Sequence, residues 1–146
     1  MTIPETVIYG AEPTPLPARN WKSAMTRGLS GTCPHCGEGR IFSSFLKVAP
    51  ACNVCGEAFD GHRADDLPAY ATIFIVGHIV VPLNLMVERG AEWPLWLHVA
   101  LWPMLALILA GIIIQPVKGA LVGLQWALRM HGFDPEGDIH DVPMAR

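Results

Sequence analysis

The sequence predicts a mainly α-helical membrane protein, a two-helix transmembrane hairpin with a small cysteine-stapled unit in front of it. Two observations carry that prediction. Residues 68–87 and 93–115 are runs of 20 and 23 residues without Asp, Glu, Lys or Arg. At about 1.5 Å per residue, each is long enough to cross the roughly 30 Å of a hydrocarbon layer. The four cysteines of the chain, Cys33, Cys36, Cys52 and Cys55, form two Cys-x-x-Cys pairs with 15 residues between them. That spacing is the frame of a tetrathiolate zinc ribbon.

Composition agrees with a division into a polar front and an apolar back. Of the 146 residues 51% are hydrophobic, and they concentrate between Leu67 and Met130. The first 66 residues are too polar, and too rich in Gly and Pro, to bury a large core. A unit that small needs a staple, and four cysteines supply one. The formal net charge of −3 argues against a nucleic-acid binder. Glu5 and Glu12 interrupt the N-terminus and no apolar run leads it, so no signal peptide is expected. The cysteines then belong to a reducing compartment and read as metal ligands rather than disulfides.

Residues 1–20 carry Pro4, Pro13, Pro15 and Pro17 and are expected to be a flexible tail. Over 21–31, Trp21, Met25 and Leu29 recur at i, i+4 and i+8. This predicts a short amphipathic helix lying on the membrane surface. The ribbon occupies 32–59. Gly37 and Gly56 end the two knuckles, where a residue that accepts positive φ lets backbone N–H groups approach the sulfurs. Ile41, Phe42, Phe45, Leu46 and Val48 between them predict short β-strands around a miniature core.

A linker, 60–67, leads to the first transmembrane helix, 68–87. Pro68 suits its first turn, Asp65 or Asp66 its N-cap, and Tyr70 the interface. Glu88–Glu92 is a polar turn. The second transmembrane helix, 93–115, opens with Trp93, Trp96 and Trp102 as an aromatic belt, and Pro82, Pro94 and Pro103 are expected to kink the spans. Residues 117–131 predict a separate interfacial amphipathic helix with Lys118, Gln125 and Arg129 on one stripe. Its Gly119-x-x-x-Gly123 pattern favours close helix approach, expected to be to other membrane subunits. An acidic tail, 132–146, ends the chain.

Basic residues set the orientation. Arg19, Lys22, Arg27, Arg40, Lys47 and Arg63 precede the first span, Lys118, Arg129 and Arg146 follow the second, and Arg89 alone lies in the turn. The excess places both termini and the ribbon in the cytoplasm.

Four thiolates close a tetrahedral zinc site and leave no open position, so the predicted role of Cys33, Cys36, Cys52 and Cys55 is structural. Iron in a rubredoxin-like site uses the same ligands and is the rival cofactor. His35, inside the first knuckle, reads as a surface side chain. His78 and His98 fall within the apolar runs. They are candidates for haem or copper ligation, against a simpler reading as neutral imidazoles hydrogen-bonded between helices. Asn84 invites the same simpler reading. Asp65 and Asp66 with His62 resemble a cation site, but helix capping explains them more simply. No nucleophile–base pair or phosphate loop is present, so no enzyme is expected. The expected partners are the lipid bilayer, other membrane-protein subunits and a cytoplasmic partner of the ribbon. Nucleic acid or ribosome binding is an alternative with a small electrostatic footprint.

Several stretches together resemble a known bacterial family. They are Cys33-Pro-x-Cys-Gly-x-Gly-Arg-Ile-Phe, Phe45-Leu46-Lys47, Cys52-x-x-Cys-Gly, Arg63-Ala-Asp-Asp-x-Pro-Ala-Tyr70, Gly77-His78, Pro116-x-Lys-Gly119 and Gln125-Trp126. The family is the one labelled domain of unknown function 983, and the likeness covers roughly residues 21–131. The resemblance implies a small two-span protein of the bacterial inner membrane with a cytoplasmic zinc ribbon. It also implies a gene neighbourhood shared with cytochrome c oxidase subunits and assembly factors, hence a non-enzymatic accessory role for a haem-copper oxidase. It implies no catalytic residue.

Overall fold

The computed structural model describes residues 17–63 and 66–133. Three α-helices follow one another: α1, Trp21–Leu29; α2, Leu67–Gly90; and α3, Leu95–Ala127. A single 3₁₀ turn, His131–Phe133, closes the described chain. Among the described residues there is no strand. The expected β-strands of the cysteine segment are replaced by three isolated antiparallel bridges, Thr32↔Arg40, Phe42↔Val48 and Ala51↔Ala58. Two of these close the rung across a knuckle. The tight knuckle turns leave no run long enough to propagate a ladder.

The helices α2 and α3 are both long and apolar enough to cross a membrane. Pro68 sits in the first turn of α2 and Thr72 Oγ1 donates to its carbonyl at 2.7 Å. Asp66 occupies the N-cap position but its side chain makes no cap hydrogen bond, contrary to the capping expectation, and Asp65 lies outside the described residues. Val76 and Val80 are the buried apolar side chains of α2. Most other large side chains of both helices face outward, including Phe74, Met86, Trp96 and Leu107.

The largest departure from expectation is α3. It runs unbroken for 33 residues through Pro103 and Pro116, so the predicted separate interfacial helix at 117–131 does not exist as such. A proline removes one backbone donor but does not force a stop where neighbouring packing holds both flanks. The last turns of α3 supply that packing. Gly119, Val122, Gly123, Gln125, Trp126 and Ala127 are buried, and Val122, Trp126 and Ala127 share one core with Ala24, Cys33, Ile41, Val48, Cys52, Phe59 and Phe133. The cysteine segment is therefore built around the end of α3, not hung from it by a linker. Phe133, assigned in the sequence to an acidic tail, is also part of this core; residues 134–146 lie outside the described residues.

Small residues make the seam. A Cβ on Gly28 would overlap the carbonyl of Gly119, and a Cβ on Gly123 would overlap the carbonyl of Ala24. The helices α1 and α3 thus cross antiparallel, Ala24-x-x-x-Gly28 against Gly119-x-x-x-Gly123. The small-residue pattern of α3 is satisfied within the chain, not by another subunit as expected. The buried edge of α1 is Ala24 and Gly28, whereas Trp21 and Leu29 are exposed. The predicted apolar edge is the wrong one because backbone contact, not side-chain bulk, seats this helix. Asn20 caps α1 by accepting from the N–H groups of Lys22 and Ser23. Residues 17–20 are accordingly held, whereas residues 1–16 of the expected tail lie outside the described residues.

The polar stripe of α3 and of the turn just after it faces this unit. Lys118 Nζ donates to Leu46 O at 2.8 Å, Gln125 Nε2 to Arg63 O at 2.8 Å and Arg129 Nη2 to Pro17 O at 2.7 Å. Trp126 Nε1 donates to Glu57 Oε1 at 2.7 Å. The Arg19 guanidinium lies 4.2 Å from the Trp126 ring centroid and donates to the Trp126 carbonyl at 2.7 Å. Cations that looked like a surface field in the sequence are spent as internal ties.

Candidate metal centre

The two knuckles are built alike. In the first, Gly37 N–H donates to Cys33 O at 2.8 Å, and Cys33 N–H donates to Gly39 O at 2.7 Å. In the second, Gly56 N–H donates to Cys52 O at 3.1 Å, and Cys52 N–H to Glu57 O at 2.8 Å. Gly37 and Gly56 adopt φ of 81° and 75°, the left-handed turn that side chains with a Cβ avoid. Arg27, reaching from α1, donates to Pro34 O at 3.0 Å and His35 O at 2.9 Å and so fixes the first knuckle from behind.

These turns bring the four sulfurs together. All four lie within 4.8 Å of one another. Cys33 and Cys55 are 3.7 Å apart and Cys36 and Cys52 are 3.8 Å apart, and none is in a disulfide. A zinc ion with four sulfurs at about 2.3 Å sets neighbouring sulfurs about 3.8 Å apart. The donor set therefore fits a tetrahedral, thiophilic ion. Gly39 N–H points at Cys36 Sγ at 3.5 Å and Val54 N–H at Cys52 Sγ at 3.4 Å, the arrangement that steadies a ligating thiolate.

The protein alone does not suit four charges. Burial pushes the Cys33 thiol up to about 12, while the N–H groups of Gly39 and Glu38 hold Cys36 down to about 6. A bound cation removes this conflict, because metal ligation replaces the thiol protons. Acid should do the reverse: as pH falls, protons compete for the sulfurs and the metal is lost. A closed set of four thiolates supplies folding energy and offers no site for substrate.

Gly39 is a third glycine that the site demands. A Cβ there would overlap Cys52 Sγ. We expect Gly39→Ala to lower retained metal to well under half of the wild-type content, read by metal analysis of the purified chain. Gly90→Ala, where a Cβ meets nothing within 4 Å, should retain it fully.

His35 is not drawn into the site. Its side chain is 55% exposed and its Nδ1 lies 3.8 Å from Glu57 Oε2. The apolar-run histidines are not brought together either. His78 lines an open apolar groove with Ile73, Phe74 and Gly77, whereas His98 lines a cleft with Asn84 and Glu88 at the α2–α3 turn. Each bonds within its own helix. His78 Nδ1 lies 2.8 Å from Phe74 O, so it carries the proton and Nε2 is left free. Trp102 Nε1 donates to His98 Nδ1 at 3.0 Å. His62, considered with Asp65 and Asp66 as a cation site, is turned instead to Phe59 O at 2.6 Å.

The family model described as Protein of unknown function (DUF983) matches residues 42–126. The chain belongs to the DUF983 family. No curated protein and no solved structure matches it. The DUF983 match begins at Phe42 and ends at Trp126, so it includes the second knuckle and both long helices and follows the first knuckle. It also includes Gly119, Gly123, Gln125 and Trp126, which the fold uses to join head and helix.

Sequence reasoning missed the partners of these residues. Ala24-x-x-x-Gly28 repeats the small-residue spacing of α3 and was the available signal. Glu57 and Trp126 are 69 residues apart, and nothing local in either stretch links them.

Proposed function

We propose that this DUF983 protein is an integral membrane protein whose zinc-stapled head is a docking platform and not an enzyme. The observation that carries the reading is the closed cluster of Cys33, Cys36, Cys52 and Cys55, fused through a shared core to the end of an outward-facing apolar helix. In the most apolar stretch of α3 none of the residues is buried, and in that of α2 11% are. The core helix of a soluble protein would be mostly covered, so lipid is the natural solvent for these surfaces. The excess of Lys and Arg on the head side supports a cytoplasmic head and cytoplasmic termini, and zinc supports the same side because its thiolates need a reducing compartment.

Ties within the fold argue against the nucleic-acid alternative. Arg19, Arg27, Lys118 and Arg129 are engaged by backbone carbonyls, which withdraws four of the ten basic residues from a phosphate backbone. The partner we favour is a respiratory haem-copper oxidase, to which the protein would be an accessory or assembly factor in a bacterial inner membrane. Family resemblance, through its gene neighbourhood, is the support for that partner. A deletion strain is expected to show reduced oxidase content and a reduced oxidase haem signal in membranes. Normal values for both would rule the partner out.

One observation favours a second reading. His78 lines an apolar groove of about 380 Å³, and its Nδ1 is held by Phe74 O; a ring oriented through a carbonyl on one nitrogen is typical of metal-ligating histidine. On this reading the protein handles haem or copper at His78. A Soret band or bound copper that His78→Ala abolishes would support it. Colourless protein holding zinc alone would exclude it.

A further inference from the structure

A second cleft lies where the head meets the apolar part of α3. It encloses about 450 Å³ and is lined by Ser30, Glu38, Arg40, Phe42, Ser44 and Gln115. Its position follows from the seam. Because α1 crosses α3 antiparallel, with Gly28 against Gly119, the chain leaving α1 at Ser30 and Gly31 is carried toward the apolar end of α3. There it also lines a smaller cavity with Leu29, Gln115 and Pro116. Gln115 lies three residues before Lys118, the first charged residue after Trp93. The cleft is therefore at the level where hydrocarbon gives way to headgroups.

The lining carries opposite charges. Arg40 and Glu38 both face the cleft, and among the described residues neither enters an ion pair. The neighbouring cation, Lys118, is already committed to Leu46 O. That same bond pins the loop bearing Ser44 and the exposed Phe45 beside the apolar zone. Leu29, 45% exposed, projects at the same rim.

We propose that this cleft binds the headgroup of a phospholipid with a primary amine, a phosphoethanolamine. This rests on the membrane reading above. The guanidinium of Arg40 takes the phosphate, with the Ser44 hydroxyl as a further donor. The Glu38 carboxylate takes the ammonium, which offers three N–H donors. The acyl chains follow Leu29, Phe42 and Pro116 onto α3. An anionic headgroup without an amine leaves Glu38 facing the phosphate, and a quaternary choline has no N–H to give it.

The test uses the full chain, purified with its metal in mild detergent and exchanged into phosphatidylethanolamine, phosphatidylglycerol or phosphatidylcholine, with retained lipid counted by native mass spectrometry. We expect one phosphatidylethanolamine per chain and about tenfold less of the other two, the ratio one charge-assisted hydrogen bond supplies. Arg40→Ala should lose it, Arg40→Lys should keep part of it, and Glu38→Gln should shift preference to phosphatidylglycerol. Retained metal in every variant reports an intact head. Equal retention of the three lipids, or retention unchanged in Arg40→Ala and Glu38→Gln, overturns the site. Displacement of the lipid by inorganic phosphate alone also overturns it, since the cleft would then read phosphate and not a lipid. A chain recovered with membranes that shows equal retention overturns this site alone; a chain recovered in the soluble fraction overturns the membrane reading and the site together.

Discussion

Removing the metal will unfold two separated stretches of the chain at once. With chelator, or in Cys33→Ser, amide hydrogen exchange should rise together over residues 21–62 and 117–127, while residues 70–112 keep their protection. The reason is the shared core: Cys33, Ile41 and Phe59 of the cysteine segment pack with Val122 and Trp126 of α3. Structural zinc contributes about 10–16 kcal/mol of apparent binding energy in comparable sites. That is as large as the whole stability of an ordinary domain, about 5–15 kcal/mol, so a head this small should not outlast its metal. A rise confined to residues 32–59 would contradict the fused core. Cys33 is the informative ligand because it is fully buried, so its replacement leaves an unligated polar atom inside.

The second large effect is at the helix seam, where two known terms oppose. Gly→Ala in a helix ordinarily stabilises by about 1 kcal/mol through propensity. At Gly28 the new methyl would overlap the carbonyl of Gly119, and backbone cannot move aside as a side chain can. Overpacking of this kind costs about 1–3 kcal/mol or more. The overlap is with fixed backbone, so the loss wins: Gly28→Ala should destabilise the head by about 2 kcal/mol. Gly111→Ala, in open space on α3, should be neutral or slightly stabilising. Denaturation followed by the fluorescence of Trp126, buried at the seam, with the other four tryptophans replaced by Phe in both variants, separates the two. Equal midpoints for both would show that the seam does not hold the head.

Much of this architecture was legible because its signals are local. Two runs without charge mark α2 and α3, and the cysteine spacing marks the cluster. Gly37 and Gly56 mark the left-handed turns of the knuckles. What escaped is long-range. The amphipathic pattern after Gln115 suggested a separate helix, yet packing of Gly119 and Gly123 against α1 carries α3 straight through. Lys118, Gln125 and Arg129 looked like a lipid-surface stripe, but their donors reach carbonyls 72, 62 and 112 residues away in sequence. Periodicity reports that a face is polar and does not report what the face meets. The expected strands failed for a related reason: Ile41 and Val48 are buried as expected, but against a helix end and knuckle turns, not in a ladder.

The cysteine cluster is the centre of the account, and X-ray absorption with metal analysis on the full chain purified under reducing conditions tests it directly. The predicted result is one zinc per chain with four sulfurs at about 2.3 Å. A metal-free chain with its cysteines in disulfides, or a metal held by fewer than four sulfurs, would contradict it.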